Sequence, residues 1–162
     1  ARDRAGEKGI FLYENQNKVT EKYDAITLWH VLEHIPQLEE QILFLKNHLE
    51  NEGVLIIAVP NYRSKDAQHY GSYWAAYDVP RHLWHFSQES IRLLFEEKGF
   101  ELIRVKPMPL DAFYVSLLSE KYKSGKMNFL KGFYHGLRSN LSALRTGEYS
   151  SLIYILKVKS KR

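Results

Sequence analysis

Residues Tyr23–Pro36 read YDAITLWHVLEHIP. The run Ala25-Ile26-Thr27-Leu28-Trp29 is apolar and β-prone. It is too short for a helix and too continuous for a strand with one wet face, so it reads as a buried parallel strand. A polar tip follows at once: His30, Glu33 and His34. Pro36 then bars the residue before it from helical backbone and suits the first turn of a new helix. Strand, polar tip and helix, in that order, are the grammar of an open α/β sheet, where ligands bind beyond the carboxyl ends of the strands. The tip is therefore the first place to look for chemistry.

Working outward, Pro36 to Asn51 carries Leu38, Ile42, Leu45 and Leu49 at helical spacing, with Gly53 as the expected stop. Val54 to Val59, VLIIAV, is a second buried strand. Asn61 to Phe86 has no clear period and is rich in aromatics and histidines, among them Trp74, Trp84, His82 and His85. Loops of that length in a compact domain are usually functional, and the aromatic content argues against disorder. Ser87 is a good N-cap for a helix that buries Ile91, Leu94 and Phe95 and ends at Gly99. Phe100–Val105 reads as a strand and Leu110–Tyr122 as an amphipathic helix. Within Lys123–Gly147, Leu137, Leu141 and Leu144 favour a helix, and Leu152–Val158 closes the chain as a last strand. Upstream, Ala1–Lys8 reads as a helix tail ended by Gly9, and Ile10–Tyr13 as a short strand. The expected fold is α/β, a mixed sheet with helices on both faces and an antiparallel final pair.

The 162 residues suit one domain and hold no cysteine, which excludes disulfides and thiolate metal sites. No apolar run is long enough to span a membrane and no leader-like segment opens the chain, so a cytoplasmic location is expected. The chain starts at Ala1 without an initiator Met, which suggests a piece of a longer protein. Residues 1–120 carry thirteen Lys and Arg against eighteen Asp and Glu; residues 121–162 carry ten against one, Glu148. Such a basic end reads equally as a solvated surface or as a surface for an anionic partner.

With these parts in place, YDAITLWHVLEHIP resembles the fourth strand and following loop of class I S-adenosylmethionine-dependent methyltransferases of the type-11/type-23 group. LENEGVLIIAVPN (Leu49–Asn61) is similar to that family's fifth strand, AAYDVPRHLWHF (Ala75–Phe86) to the segment after it, and Phe95–Val105 to the turn into strand six. The resemblance runs over Gly9–Val105, and the last strand fits strand seven. It implies a Rossmann-like, three-layer sheet in the order 4-5-7-6, incomplete because the family's glycine-rich first motif would lie before Ala1. Residues 1–60 would be the remnant of the cofactor half, 61–86 a lid or substrate loop, and 87–162 the C-terminal helices and strands. Ala25–Trp29 would then be an exposed apolar edge, open to association with a second copy or to cover by a longer chain.

The resemblance also implies roles. Leu28, Trp29 and His30 would line the S-adenosylmethionine pocket, chiefly through backbone and the Trp29 ring. His34, His82 and His85 would face a small or medium methyl acceptor as candidate bases. No metal is assigned and nucleic acid is not expected. Other readings stay open: Glu33 as a cap or pairing residue, Trp29 as core, His82 and His85 as structural histidines, and the loop aromatics as a satellite cluster. His30–His34 also matches H-x-x-E-H, a zinc-protease pattern, but that pattern needs a helix body which the preceding strand and Pro36 do not leave. A different class of function is a non-enzymatic interaction module that binds an anionic partner through Lys121–Arg162.

Overall fold

The computed structural model describes residues 2–159. Four strands form one sheet: β1 (Tyr23–Trp29), β2 (Leu49–Pro60), β3 (Phe100–Pro107) and β4 (Ser151–Val158). Their order is β1-β2-β4-β3, with β1 parallel to β2 and β4 antiparallel to both of its neighbours. This is the expected 4-5-7-6 arrangement, and the last two strands pair antiparallel as anticipated. Because β4 runs the other way, its start at Ser151 lies beside the ends of β2 and β3, in register with Pro60 and next to Leu152↔Pro107. The carboxyl ends of β1, β2 and β3 therefore share one edge of the sheet.

Helices α2 (Leu38–Asn47) and α4 (Gln88–Glu97) supply the main core. Ile42, Leu45, Ile91 and Phe95 meet Leu55, Ile57, Val59, Leu152, Tyr154 and Leu156, alternate residues of the two central strands. Period-2 alternation puts Val54, Ile56, Ile153 and Ile155 on the opposite face, and these four are only half-buried. The α5 helix (Pro109–Ser124) and α6 (Phe129–Thr146) pack chiefly on each other and on α3 (Lys65–Tyr70). At β1 the sheet ends; its side away from β2 is unpaired, and Trp29 is 51% exposed.

Several expectations are corrected. Ile10–Tyr13 is not a strand; with no neighbour to pair with, Ile10, Phe11 and Leu12 lie exposed in irregular chain after a short α1 (Arg2–Gly6). Leu49 belongs to β2 rather than to the preceding helix, which ends at Asn47. Gly53 likewise lies inside β2, where pairing with β1 slips from Tyr23↔Leu49 to Ala25↔Val54. The segment after β2 is less irregular than it reads, since Ser64 caps α3 by accepting from the Ala67 N–H. Lys123–Gly147 does contain a helix, α6. Its buried face is Gly132, Gly136, Ser139 and Ala143, while Leu137, Leu141 and Leu144 point outward. The stretch Lys121–Arg162 and the helix tail at Ala1 each extend beyond the described residues.

A second core holds the loop segment. Ala67, Tyr70, Trp74, Ala75 and Ala76 pack against Val115 of α5. At its centre the buried Asp66 carboxylate accepts from Ser139 Oγ at 2.6 Å, Trp74 Nε1 at 2.7 Å and Ser150 Oγ at 2.7 Å. Three neutral donors from three elements satisfy this carboxylate, as a buried charge requires. The loop aromatics thus divide: Tyr70, Trp74 and Phe86 are core, whereas Tyr62, Tyr73 and Trp84 stay at the surface.

Candidate active site

β1 delivers His30 to the carboxyl edge of the sheet, and the backbone turns there in the left-handed region, with φ 51°. Residues other than glycine hold such a conformation only where their surroundings enforce it. Here the enforcement is double. His30 Nδ1 lies 3.3 Å from Glu33 Oε1, and its Nε2 lies 3.2 Å from Asp111 Oδ2 in the first turn of α5. Hydrogen bonding to Asp111, then to Glu33, outweighs burial and pushes the His30 pKa up to about 9. At neutral pH it is an imidazolium held between two carboxylates. Burial pushes Asp111 up, but hydrogen bonds to His30 and Ser151, with the charge on His30, together outweigh it and leave that carboxyl below the ordinary aspartate value.

Glu33 sits in a single 3-10 turn, Leu32–His34, after the strand. Its side chain is 1% exposed, and among the described residues its Oε2 has no hydrogen-bond partner. The main chain of this turn is sewn to the loop after β2. The Glu33 carbonyl accepts from the Leu83 N–H at 2.8 Å, and the Ile35 carbonyl accepts from Trp84 Nε1 at 2.8 Å. His34 Nδ1 donates to the Arg81 carbonyl at 2.9 Å. From the loop side, His82 Nδ1 donates to the Ala76 carbonyl at 2.8 Å. The two rings meet edge to face with centroids 4.6 Å apart. With both Nδ1 atoms committed to backbone carbonyls, Nε2 is the ring atom each histidine has left for another partner. His82 Nε2 faces Asp78 Oδ2 at 3.8 Å and Glu33 Oε1 at 4.0 Å.

A cavity of about 320 Å³ opens beside this cluster, lined by His30, His82, Asp78, Asp111, Tyr114 and Ser151 among others. All of these follow a parallel strand's carboxyl end or begin β4, the position where open α/β sheets take ligands. Val115 and Leu118, one and two turns beyond Asp111 on α5, add apolar surface to this lining.

The candidate residues distribute unevenly. His34 and His82 come together, and His30 joins them through Glu33. His85 is apart: its Nε2 is 3.0 Å from the Tyr77 carbonyl and its ring packs edge-on against Tyr77. Leu28 is buried in the core, and the Trp29 side chain lies on the open edge. Asp111 and Asp78 were not foreseen. The one signal for Asp111 was its place just after a strand's carboxyl end, the same signal that singled out His30.

A family model described as "Methyltransferase domain" matches residues 2–105. No curated protein sequence matches the chain. Among solved structures, a SAM-dependent methyltransferase from Thermotoga maritima is 16% identical with a TM-score of 0.60, over 98% of this chain and 68% of that one. Magnesium protoporphyrin IX methyltransferase from Synechocystis PCC 6803, solved with bound SAH, is 15% identical with a TM-score of 0.56, over 98% and 59%. A cyclopropane synthase from Mycobacterium tuberculosis is 13% identical with a TM-score of 0.51, over 87% and 57%. The chain thus spans about three fifths to two thirds of the length of these proteins. The family match covers well over half the chain, and the sheet order and neighbouring folds agree with it: the chain belongs to the class I methyltransferase domain family.

Proposed function

We propose that this chain carries the acceptor-side part of an S-adenosylmethionine-dependent methyltransferase and that the 320 Å³ cavity beside His30 receives a small or medium acceptor. The observation that carries the reading is the placement of His30, held between Glu33 and Asp111 at the tip of β1 and facing that cavity. Bound S-adenosylmethionine supplies a methyl group on a cationic sulfur. The exposed Trp29 ring and the backbone of Leu28–His30 fit one wall of such a site, since an aromatic face attracts a sulfonium. Its other wall would come from residues outside this chain, where the family's glycine-rich motif belongs.

Within the cavity the chain's own groups do three things. His30 and Asp111 orient the acceptor's polar atoms. Val115 and Leu118 exclude water from one side, so that holding acceptor and methyl in line supplies most of the acceleration. Activation of the acceptor's X–H bond falls to His82, which lines the cavity, and to His34 packed against it, with His85 a more distant candidate. The proton that the acceptor gives up would pass to Nε2 of His82 or His34, and the methyl group would come from the cofactor.

Calorimetric titration of S-adenosylhomocysteine tests this, using the chain as it stands and a chain extended at its N-terminus. Binding to the extended chain alone is the expected result; binding to neither overturns the reading. In the extended chain, Asp111→Asn should lower methyl transfer at least tenfold with product-cofactor affinity unchanged. The unpaired β1 edge is proposed to be covered either by such an extension or by a second copy. A monomeric chain in sedimentation, with amide protons of Ala25–Trp29 freely exchanging, would count against both.

One observation favours a second reading. The exposed face of α6 joins Leu130, Phe133, Leu137, Leu141 and Leu144 to Lys131, Arg138 and Arg145, and a groove of about 410 Å³ runs between Phe113, Leu117, Phe129 and Phe133. Among the described residues no helix is long and apolar enough to cross a membrane. A basic, apolar helix face suits an anionic amphiphilic surface instead. Salt-sensitive sedimentation with phosphatidylserine vesicles, lost on Leu141→Ser/Leu144→Ser, would support that use of α6; equal binding by neutral vesicles would remove the electrostatic part.

A further inference from the structure

We infer that Glu33, His34 and His82 form a binding site for a first-row divalent cation of the Zn²⁺ type. One ligand atom from each of Glu33, His34 and His82 lies within 4.8 Å of the others. Proximity alone would be weak, because polar residues cluster at strand ends for many reasons. Three further features set this group apart.

The first is the orphan. Glu33 is 1% exposed, and its Oε2 has no partner among the described residues. Leaving a buried carboxylate oxygen unsatisfied is costly, and such atoms in a native fold call for an explanation. The second is ring orientation. A metal-bound histidine nearly always donates its other N–H to a carbonyl or carboxylate, which fixes the ring and the free lone pair. His34 does so to Arg81 and His82 to Ala76, so both present Nε2. The third is spacing. His82 Nε2 stands 4.0 Å from Glu33 Oε1. This gap is too long for a hydrogen bond. It suits two donors that share one cation, each about 2.0–2.2 Å from it.

Two imidazoles with a carboxylate favour Zn²⁺ over Mg²⁺ or Ca²⁺, which prefer all-oxygen shells. Glu33 comes from the turn after β1 and His82 from the loop after β2, so a cation would also tie those two segments together.

A second histidine–carboxylate group, His69–Glu120–His135, makes a useful contrast. There the two rings stack with centroids 3.8 Å apart and planes 18° from parallel, so their in-plane lone pairs run side by side rather than converge. That group lacks the orphan and the orienting carbonyls.

For the proposed function, on which this part rests, a cation at Glu33–His34–His82 would occupy Nε2 of both histidines and so replace their action as bases, acidifying an acceptor hydroxyl or phenol as bound metals do to oxygen ligands. That favours an oxygen acceptor over an amine, which needs no such help once neutral.

The test is calorimetric titration of ZnCl₂ into the chain carrying His69→Ala/His135→Ala, so that the helical group is silent. One Zn²⁺ per chain is expected, with affinity lowered at least about tenfold by Glu33→Gln and by His82→Ala. Co²⁺ substitution should give visible absorption bands that the same variants abolish. His34 is exposed, so His34→Ala serves if the buried variants lose their folded circular dichroism. Zn²⁺ affinity unchanged in Glu33→Gln and His34→Ala overturns the site, as does complete loss of binding in the His69→Ala/His135→Ala background. Because these titrations use no cofactor, the two proposals separate. An extended chain that binds S-adenosylhomocysteine but no metal removes this inference alone. Metal binding without cofactor binding removes the methyltransferase reading and leaves the site.

Discussion

Helices α4 and α6 are both amphipathic, and they use their faces in opposite ways. In α4 the apolar stripe goes inward: Ile91 and Phe95 are fully buried against the sheet. In α6 the apolar stripe goes outward, with Leu144 72% exposed, and the inward face is made of Gly132, Gly136, Ser139 and Ala143. The difference lies in the partner. Against a pleated sheet, α4 has room for large side chains. Against α5, α6 comes so close that a Cβ on Gly136 would stand 2.8 Å from Phe113 Cα, and one on Gly132 2.9 Å from Leu117 Cα. Periodicity shows that a helix exists; which stripe is buried depends on what it meets.

Phe95→Ala should have the largest effect, a loss of about 3–5 kcal/mol in urea unfolding, because it empties a filled site between α4 and the sheet. A loss under 1 kcal/mol would mean that α4 is not the buried helix described. Gly136→Ala sharpens the contrast through its sign. Helix propensity alone would stabilise by about 1 kcal/mol. The close backbone of Phe113 should instead make the variant less stable, by about 1–3 kcal/mol. Stabilisation would break the account of the α5–α6 contact. Both helices carry side-chain N-caps: Ser87 accepts from the Ser90 N–H at 3.1 Å and Asn128 from the Lys131 N–H at 3.0 Å. Ser87→Ala and Asn128→Ala should each cost about 1 kcal/mol, showing that local capping is alike where tertiary packing is not. Leu144→Ser should change stability by less than about 0.5 kcal/mol. A larger drop would place Leu144 in an interface, and size-exclusion chromatography of the variant would show whether a second copy supplies it.

The same distinction runs through the site. His30, Glu33 and His34 were legible from chain order, since a strand followed by a polar tip puts those groups at the carboxyl edge whatever the rest does. His82 was legible as one histidine among several in an aromatic loop; its meeting with His34 was not, because 47 residues, a whole strand among them, lie between the two. His85, which reads much like His82 in sequence, turns to Tyr77 instead. Asp111 is 81 positions from His30, and only the antiparallel return of β4 and the start of α5 bring it within 3.2 Å.

By itself the sequence determined the strands and their kind. Continuous apolar runs such as VLIIAV can only be satisfied inside a sheet, and capping residues and glycines mark the helix ends locally. Ile10–Tyr13 shows the limit, for a run of β-formers stays irregular without a neighbour to pair with. Only the tertiary structure decided which face of α6 is buried, which histidines converge, and that His30 is a cation at neutral pH. These depend on distances between groups far apart in the chain, and charge, packing and ligand geometry respond to distance in space.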